Sequence, residues 1–198
     1  MESGFLGTLV VLLIAATSLV MFLASDWRWV LAALGLQYLW SFFLVSSVWP
    51  LELAAVKLVT GWMAGTIVGL GRLTAATDEE ESEDRFPAGR SFQSLTTLLV
   101  FLVVVGSAPR LAAWAGNIGI NHAWAGLILA GMGLLQISLT PRIFRKFLGL
   151  LMLFSGFEII YATVEASILV AGLLAALNLG IALVGSYLIT LPRIGQEQ

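Results

Sequence analysis

Seven times in 198 residues the chain runs for about twenty positions on mainly apolar side chains. That recurrence constrains the fold more than any motif. A hydrocarbon layer is about 30 Å thick, and an α-helix rises about 1.5 Å per residue, so about 20 residues cross it. Inside the layer no water can satisfy a backbone N–H or C=O, so the segment must be a helix or part of a closed barrel. Runs this long, without alternation, are helical. The spans are predicted at Phe5–Ser25, Trp29–Trp49, Pro50–Leu73, Phe92–Ala108, Asn121–Thr140, Ile143–Val164 and Ala166–Thr190. The expectation is an all-α, polytopic membrane bundle of about seven transmembrane helices.

Composition agrees. Hydrophobic residues make up 59% and charged residues 11%, against about 25% charged in soluble domains. A net charge of −2 without a basic stripe excludes a nucleic-acid partner. With no cysteine and only His122, no metal site is expected. No nucleophile lies beside a base, no phosphate loop occurs and no cofactor is implied, so catalysis by this chain alone is not expected. "MESGFLG" lacks the basic start of a signal peptide, and the first apolar run is expected to remain as a span.

The breaks are chemically marked. "SDWR" (Ser25–Arg28) separates the first two spans, Pro50 opens the third, and "TPR" (Thr140–Arg142) closes the fifth. Ser167 is a candidate N-cap for the seventh. Pro109 and Arg110 are expected to cut the fourth short. Thr77–Arg90 packs six acids into seven positions, which reads as a solvated loop or a docking patch for a basic partner. Four units follow: 1–74, a first three-helix unit; 75–91, the acidic loop; 92–120, a linking helix and outer loop; 121–198, a second three-helix unit. The two triplets share the order helix, basic turn, helix, tight corner, helix, which suggests a parallel repeat.

Lysine and arginine set the orientation. One side holds Arg28, Arg72, Arg85, Arg90, Arg142, Arg145, Lys146 and Arg193, and the other only Arg110. The N-terminus is therefore expected outside and the C-terminus in the cytoplasm. Trp27, Trp29, Trp49, Trp114 and Trp124 fall at predicted interfaces.

Charges within spans are costly, about 2.5–3.5 kcal/mol each on insertion scales. Lys57 lies about 10 Å below the outer end of the third helix, and Glu158 about 10 Å below the same end of the sixth. Two opposite charges at one depth on antiparallel helices form a candidate pair and proton relay. The alternatives are a lysine that snorkels to the headgroups and a protonated glutamic acid held between helices. Tyr161 and Glu165 extend the Glu158 face at helical spacing, with Glu165 near the interface. Gly61, Gly65 and Gly69 follow Lys57 in steps of four, a pattern that admits a second backbone. Gln37, Tyr38, Gln136 and Asn178 are further polar candidates, each an interhelical hydrogen bond or a conduction site. His122 is expected at the outer interface, solvated.

"PRIFRKFLGLLMLFSGFEIIYA" (Pro141–Ala162), followed by "SILVAGLLAALNLGIALVGSYL" (Ser167–Leu188), resembles the chain K family of NADH-quinone oxidoreductase and its antiporter relatives. "GFEI" (Gly156–Ile159) stands where that family has a Gly-Leu-Glu-Ile-type motif, which matches Glu158 to its first glutamate. Over nearly its full length the chain resembles hydrogenase-4 component E, with Arg28, Gln37 and Lys57 at corresponding positions. Two features differ from chain K. The basic turn lies farther from Glu158, and Asn178 stands where a second carboxylate would be. The resemblance implies a multi-pass subunit of the plasma (inner) membrane, beside antiporter-like subunits of a proton- or sodium-translocating redox complex. A free-standing small transporter and a purely structural scaffold are the other readings of the same chain.

Overall fold

A computed structural model describes residues 2–75, 90–116 and 118–191. The acidic stretch of the Thr77–Arg90 loop lies outside the described residues, as does Arg193. Seven helices follow in order: α1 (Glu2–Leu23), α2 (Trp27–Val45), α3 (Leu51–Thr74), α4 (Arg90–Ala115), α5 (Ile120–Leu139), α6 (Ile143–Ala162) and α7 (Ile168–Thr190). There is no strand among the described residues. Six of the helices are long and apolar enough to cross a membrane. The seventh, α6, matches α5 in length but carries Arg145, Lys146 and Glu158. Arg145 and Glu158 are buried among the helices that pack against it, α5, α7, α2 and α3, while Lys146 is exposed in its first turn. The chain is an integral membrane protein of the multi-pass helical class.

Local chemistry sets the helix ends. The Asp26 carboxylate accepts from the backbone N–H of Arg28 at 2.9 Å, capping α2. Ser167 does the same for α7, accepting from the Val170 N–H at 3.2 Å. Pro50 is the N-cap of α3, just outside the helix. Its fixed φ, −54° here, leads the chain into the first turn.

The fourth span departs from expectation. It does not stop at Ala108 but runs through Pro109 to Ala115. Proline removes one backbone hydrogen bond, yet α4 stays helical, because its neighbouring turns have no alternative partner in lipid. The helix ends at Gly116, whose φ of +64° is the left-handed cap conformation that glycine adopts without strain. Other ends are nearer to expectation: α2 stops at Val45 rather than Trp49, and α6 at Ala162.

The helices form two rows. α1, α2 and α3 lie side by side, as do α5, α6 and α7. The rows stack in the same order, α1 on α5, α2 on α6 and α3 on α7. The start of α1 meets the start of α5, Gly7 against Asn121, and the end of α3 meets the end of α7, Gly71 against Ser186, so these stacked partners run parallel. α4 packs on α5 at one edge and presents Leu95, Leu98, Leu99 and Leu102 outward.

Small residues allow the close seams. A Cβ on Gly133 would lie 2.6 Å from the Gly149 carbonyl oxygen, and one on Gly156 would lie 2.7 Å from the Ala130 nitrogen. The α5–α6 hairpin is therefore packed backbone to backbone, where dispersion contacts substitute for the missing hydrophobic drive. Between α3 and α7, a Cβ on Gly71 would lie 2.9 Å from the Ser186 Cα.

Candidate functional site

Lys57 is the seventh residue of α3, about 10 Å below its start. Glu158 lies four residues before the end of α6, about 6 Å below the same face of the bundle. Their side chains meet as an ion pair. Lys57 is 6% exposed and Glu158 5%, so the lysine does not snorkel. Its ammonium also donates to the Ser155 hydroxyl at 3.3 Å. The Tyr38 ring lies with its centroid 5.7 Å from the same nitrogen, within cation–π range.

Four helices supply this site. α2 brings Tyr38, α3 brings Lys57, and α6 brings Ser155 and Glu158. α7 brings Asn178, whose Oδ1 accepts from the Tyr38 hydroxyl at 3.0 Å. Tyr38 thus links the pair to the bundle centre through its two ends, an aromatic face and a phenolic O–H. Gln37, Ser41 and Asn178 are also buried. Both Gln37 side-chain heteroatoms, the Ser41 hydroxyl and the Asn178 Nδ2 have no hydrogen-bond partner among the described residues. Buried polar atoms of this kind ordinarily bind a partner or internal water.

A cavity of about 10 Å³ touches the pair, with Val45, Trp49, Leu53, Thr60 and Leu174 on its walls. That is room for about one water. The indole N–H of Trp49 donates to the backbone carbonyl of Glu165 at 2.9 Å, which holds the ring in place. Trp49 is therefore buried rather than set among headgroups. An ammonium, a carboxylate, a hydroxyl and space for a water are sufficient to hold a proton and pass it between neighbouring atoms.

The remaining candidates are placed as follows. Gly61 faces the Tyr38 ring, Gly65 lies 3.6 Å from the Leu34 Cδ2 by its notional Cβ, and Gly69 lies 2.8 Å from the Leu31 Cδ1. The three glycines thus receive side chains of α2 rather than a second backbone; the backbone approach in α3 is at Gly71. Gln136 donates to the Arg145 carbonyl at 3.0 Å, an interhelical hydrogen bond.

Three expectations are corrected. Glu165 does not extend a helical face with Glu158: α6 ends before it, and its exposed side chain is not brought to the pair. Only its backbone carbonyl takes part. Tyr161 stacks on Phe157, centroids 5.6 Å apart, on the outward flank of α6. His122 is buried, with Nε2 3.2 Å from the Ser47 hydroxyl and 3.1 Å from the Leu44 carbonyl. The turn after α2 closes over it, so a polar side chain at a span boundary serves packing rather than solvation.

Ser155 and Arg145 take polar roles that the sequence does not single out. Ser155 precedes Glu158 by three, on the same helical face, and that spacing was the available signal. Arg145, 3% exposed, donates to the carbonyls of Ala24 and Ser25 just beyond the end of α1. A cation there satisfies carbonyls that a helix end leaves open. No metal-binding group of histidine, cysteine and carboxylate occurs among the described residues. Comparison with known proteins returns no matching family model, no matching curated relative and no matching solved structure.

Proposed function

We propose that this chain is a non-catalytic membrane subunit of a proton- or sodium-translocating redox complex, seated beside antiporter-like subunits in the plasma (inner) membrane. Its part is to continue an intramembrane relay of ionisable groups through Lys57 and Glu158. The observation that carries the reading is the buried ion pair itself. A charged pair in a hydrophobic bundle costs several kcal/mol per ion to desolvate, and a pure scaffold has no need of it. Two further features support a relay. The pair adjoins a cavity of about one water's volume. It also connects through Tyr38 to Asn178, whose buried Nδ2 has capacity to bind water. The resemblance of Glu158 to the chain K family's first glutamate, and separately of Lys57 to the lysine of hydrogenase-4 component E, points the same way. Glu165 has no place in this relay.

The test is Glu158→Gln in the assembled complex, with ion translocation and redox turnover measured separately. Glutamine keeps an oxygen to accept from Lys57 but cannot exchange a proton. Translocation per electron is expected to fall while the subunit still assembles. Unchanged translocation with normal assembly removes the pair from the mechanism, and purification of the chain alone from its native membrane removes the complex.

A further inference from the structure

We infer that Trp49 is the gate through which the Lys57–Glu158 pair exchanges protons with water, at the end of the bundle formed by the α2–α3 and α6–α7 turns. That role presupposes the relay proposed above and supplies its route to water. Three observations carry it: where the cavity lies, what closes it on each side, and how the indole is held.

The cavity that touches the pair runs from Trp49 and Leu53 to Thr60 on one side, and from Ala171 to Ala175 along α7 on the other. Lys57 and Leu174 are each the seventh residue of their helices. Since α3 and α7 run parallel, the cavity reaches from the helix starts to the depth of the pair. Toward the bundle centre the pair is backed by the Tyr38 ring, which is buried and packed against Gly61. To the side, Val56 is exposed and meets hydrocarbon, which carries no water. The remaining way out is toward the two turns, past Val45 and Trp49, both buried.

Val45 and Leu53 are fixed within α2 and α3. Trp49 lies between the helices, in a turn whose first half is pinned by His122 through the Ser47 hydroxyl and the Leu44 carbonyl, at 3.2 and 3.1 Å. The indole itself is held by one hydrogen bond, from its N–H to the Glu165 carbonyl on the opposite turn at 2.9 Å. Groups outside regular helices open at lower cost than those within them. Swinging the indole breaks that bond and joins a cavity of about one water's volume to the surface. A hydronium that enters gives its proton to the Glu158 carboxylate and remains as water; the reverse step returns the proton. Glu52, in the first turn of α3, and Glu165 are both exposed near this mouth. Residues 46–52 and 163–167 include no lysine or arginine, so the mouth attracts cations.

The test exploits the absence of cysteine. Leu174→Cys places a thiol on the cavity wall. Met132→Cys places one in the buried core of α5, away from the cavity. The full-length protein in nanodiscs is treated with the small cationic reagent 2-aminoethyl methanethiosulfonate, and labelling is followed by mass spectrometry. Both thiols are expected to react slowly while Trp49 is present. Trp49→Ala is expected to speed the reaction at Leu174→Cys by about tenfold or more and to leave Met132→Cys unchanged. Trp49→Phe keeps an aromatic ring but lacks the N–H, and is expected to give a smaller rise, about threefold, at the same thiol alone. An unchanged rate at Leu174→Cys in the Trp49→Ala protein overturns the inference. Where Trp49→Ala speeds both thiols, the bundle has loosened and Trp49→Phe decides. A rise confined to Leu174→Cys then upholds the gate, and any other result overturns it. These rates report water access rather than translocation. A relay refuted by Glu158→Gln leaves them unchanged, and their failure removes the gate without removing the relay.

Discussion

Replacing Lys57 and Glu158 singly and together by methionine measures the interaction on which the site depends. At an ordinary ion-pair separation of about 3 Å and an effective dielectric constant of about 20, two unit charges attract by about 5–6 kcal/mol. Screening by solvent is slight, because the side chains are 4% and 6% exposed. Desolvation offsets most of that attraction, so the intact pair is close to neutral for stability, whereas an orphaned member costs about 3–5 kcal/mol. The two single variants should differ. Without Glu158, the ammonium keeps the Ser155 hydroxyl and the Tyr38 ring. Without Lys57, Glu158 loses the one donor that reaches it among the described residues. Lys57→Met is therefore expected to cost about 5 kcal/mol and Glu158→Met about 3. The double variant buries two apolar chains of similar length and is expected within about 1 kcal/mol of the native protein. The assay is unfolding of the full-length protein in mixed micelles, followed by tryptophan fluorescence. Trp49, on the cavity wall beside the pair, is a local reporter. A coupling energy below about 0.5 kcal/mol would mean that the side chains act independently, and the reasoning would be refuted.

Three further outcomes follow from named contacts. Gly133→Leu drives a side chain into the Gly149 carbonyl and the Leu153 backbone. It is expected to cost about 3 kcal/mol or more, while Gly172→Leu, with nothing within 4 Å, should change stability by less than about 0.5 kcal/mol; equal effects in a thermal-shift assay would show that the α5–α6 seam is not close-packed. Tyr38→Phe keeps the ring over Lys57 but leaves the Asn178 oxygen without its donor, an expected loss of about 1–3 kcal/mol by the same micelle unfolding; a loss under about 0.3 kcal/mol would remove that hydrogen bond. The chain has no cysteine, so single introductions map its sides cleanly. Glu165→Cys is expected to react with an impermeant maleimide on intact cells and Ser25→Cys only after permeabilisation; the reverse pattern would invert the bundle.

How much of the site could be read without coordinates varies by residue. The pairing of Lys57 with Glu158 was legible because depth along a helix is nearly linear in residue number. Antiparallel spans of known ends therefore bring calculable positions level. Glu165 was misplaced because helical spacing was extended past the true end of α6. His122 was misplaced because burial near a span boundary depends on how a neighbouring turn folds over it. Tyr38 and Asn178 were each visible as polar residues, but nothing in either segment announces the other, 140 positions away.

The number and class of elements were determined by the chain alone. Long apolar runs in hydrocarbon have no stable form but the helix, whatever surrounds them, and polar breaks fix where each run stops. The one helix too charged to qualify by composition, α6, shows the limit of that rule. Its tolerance for the buried charges of Arg145 and Glu158 comes from the helices packed around them, and that burial is a property of the assembled bundle. The stacking of the two rows, the backbone approach at Gly133 and Gly149, and the meeting of four helices around Lys57 were decided only by tertiary packing. The physical reason is that hydrophobicity places a helix in the membrane without choosing its neighbours. That choice rests on shape and on buried polar partners, which are matched across distant parts of the sequence.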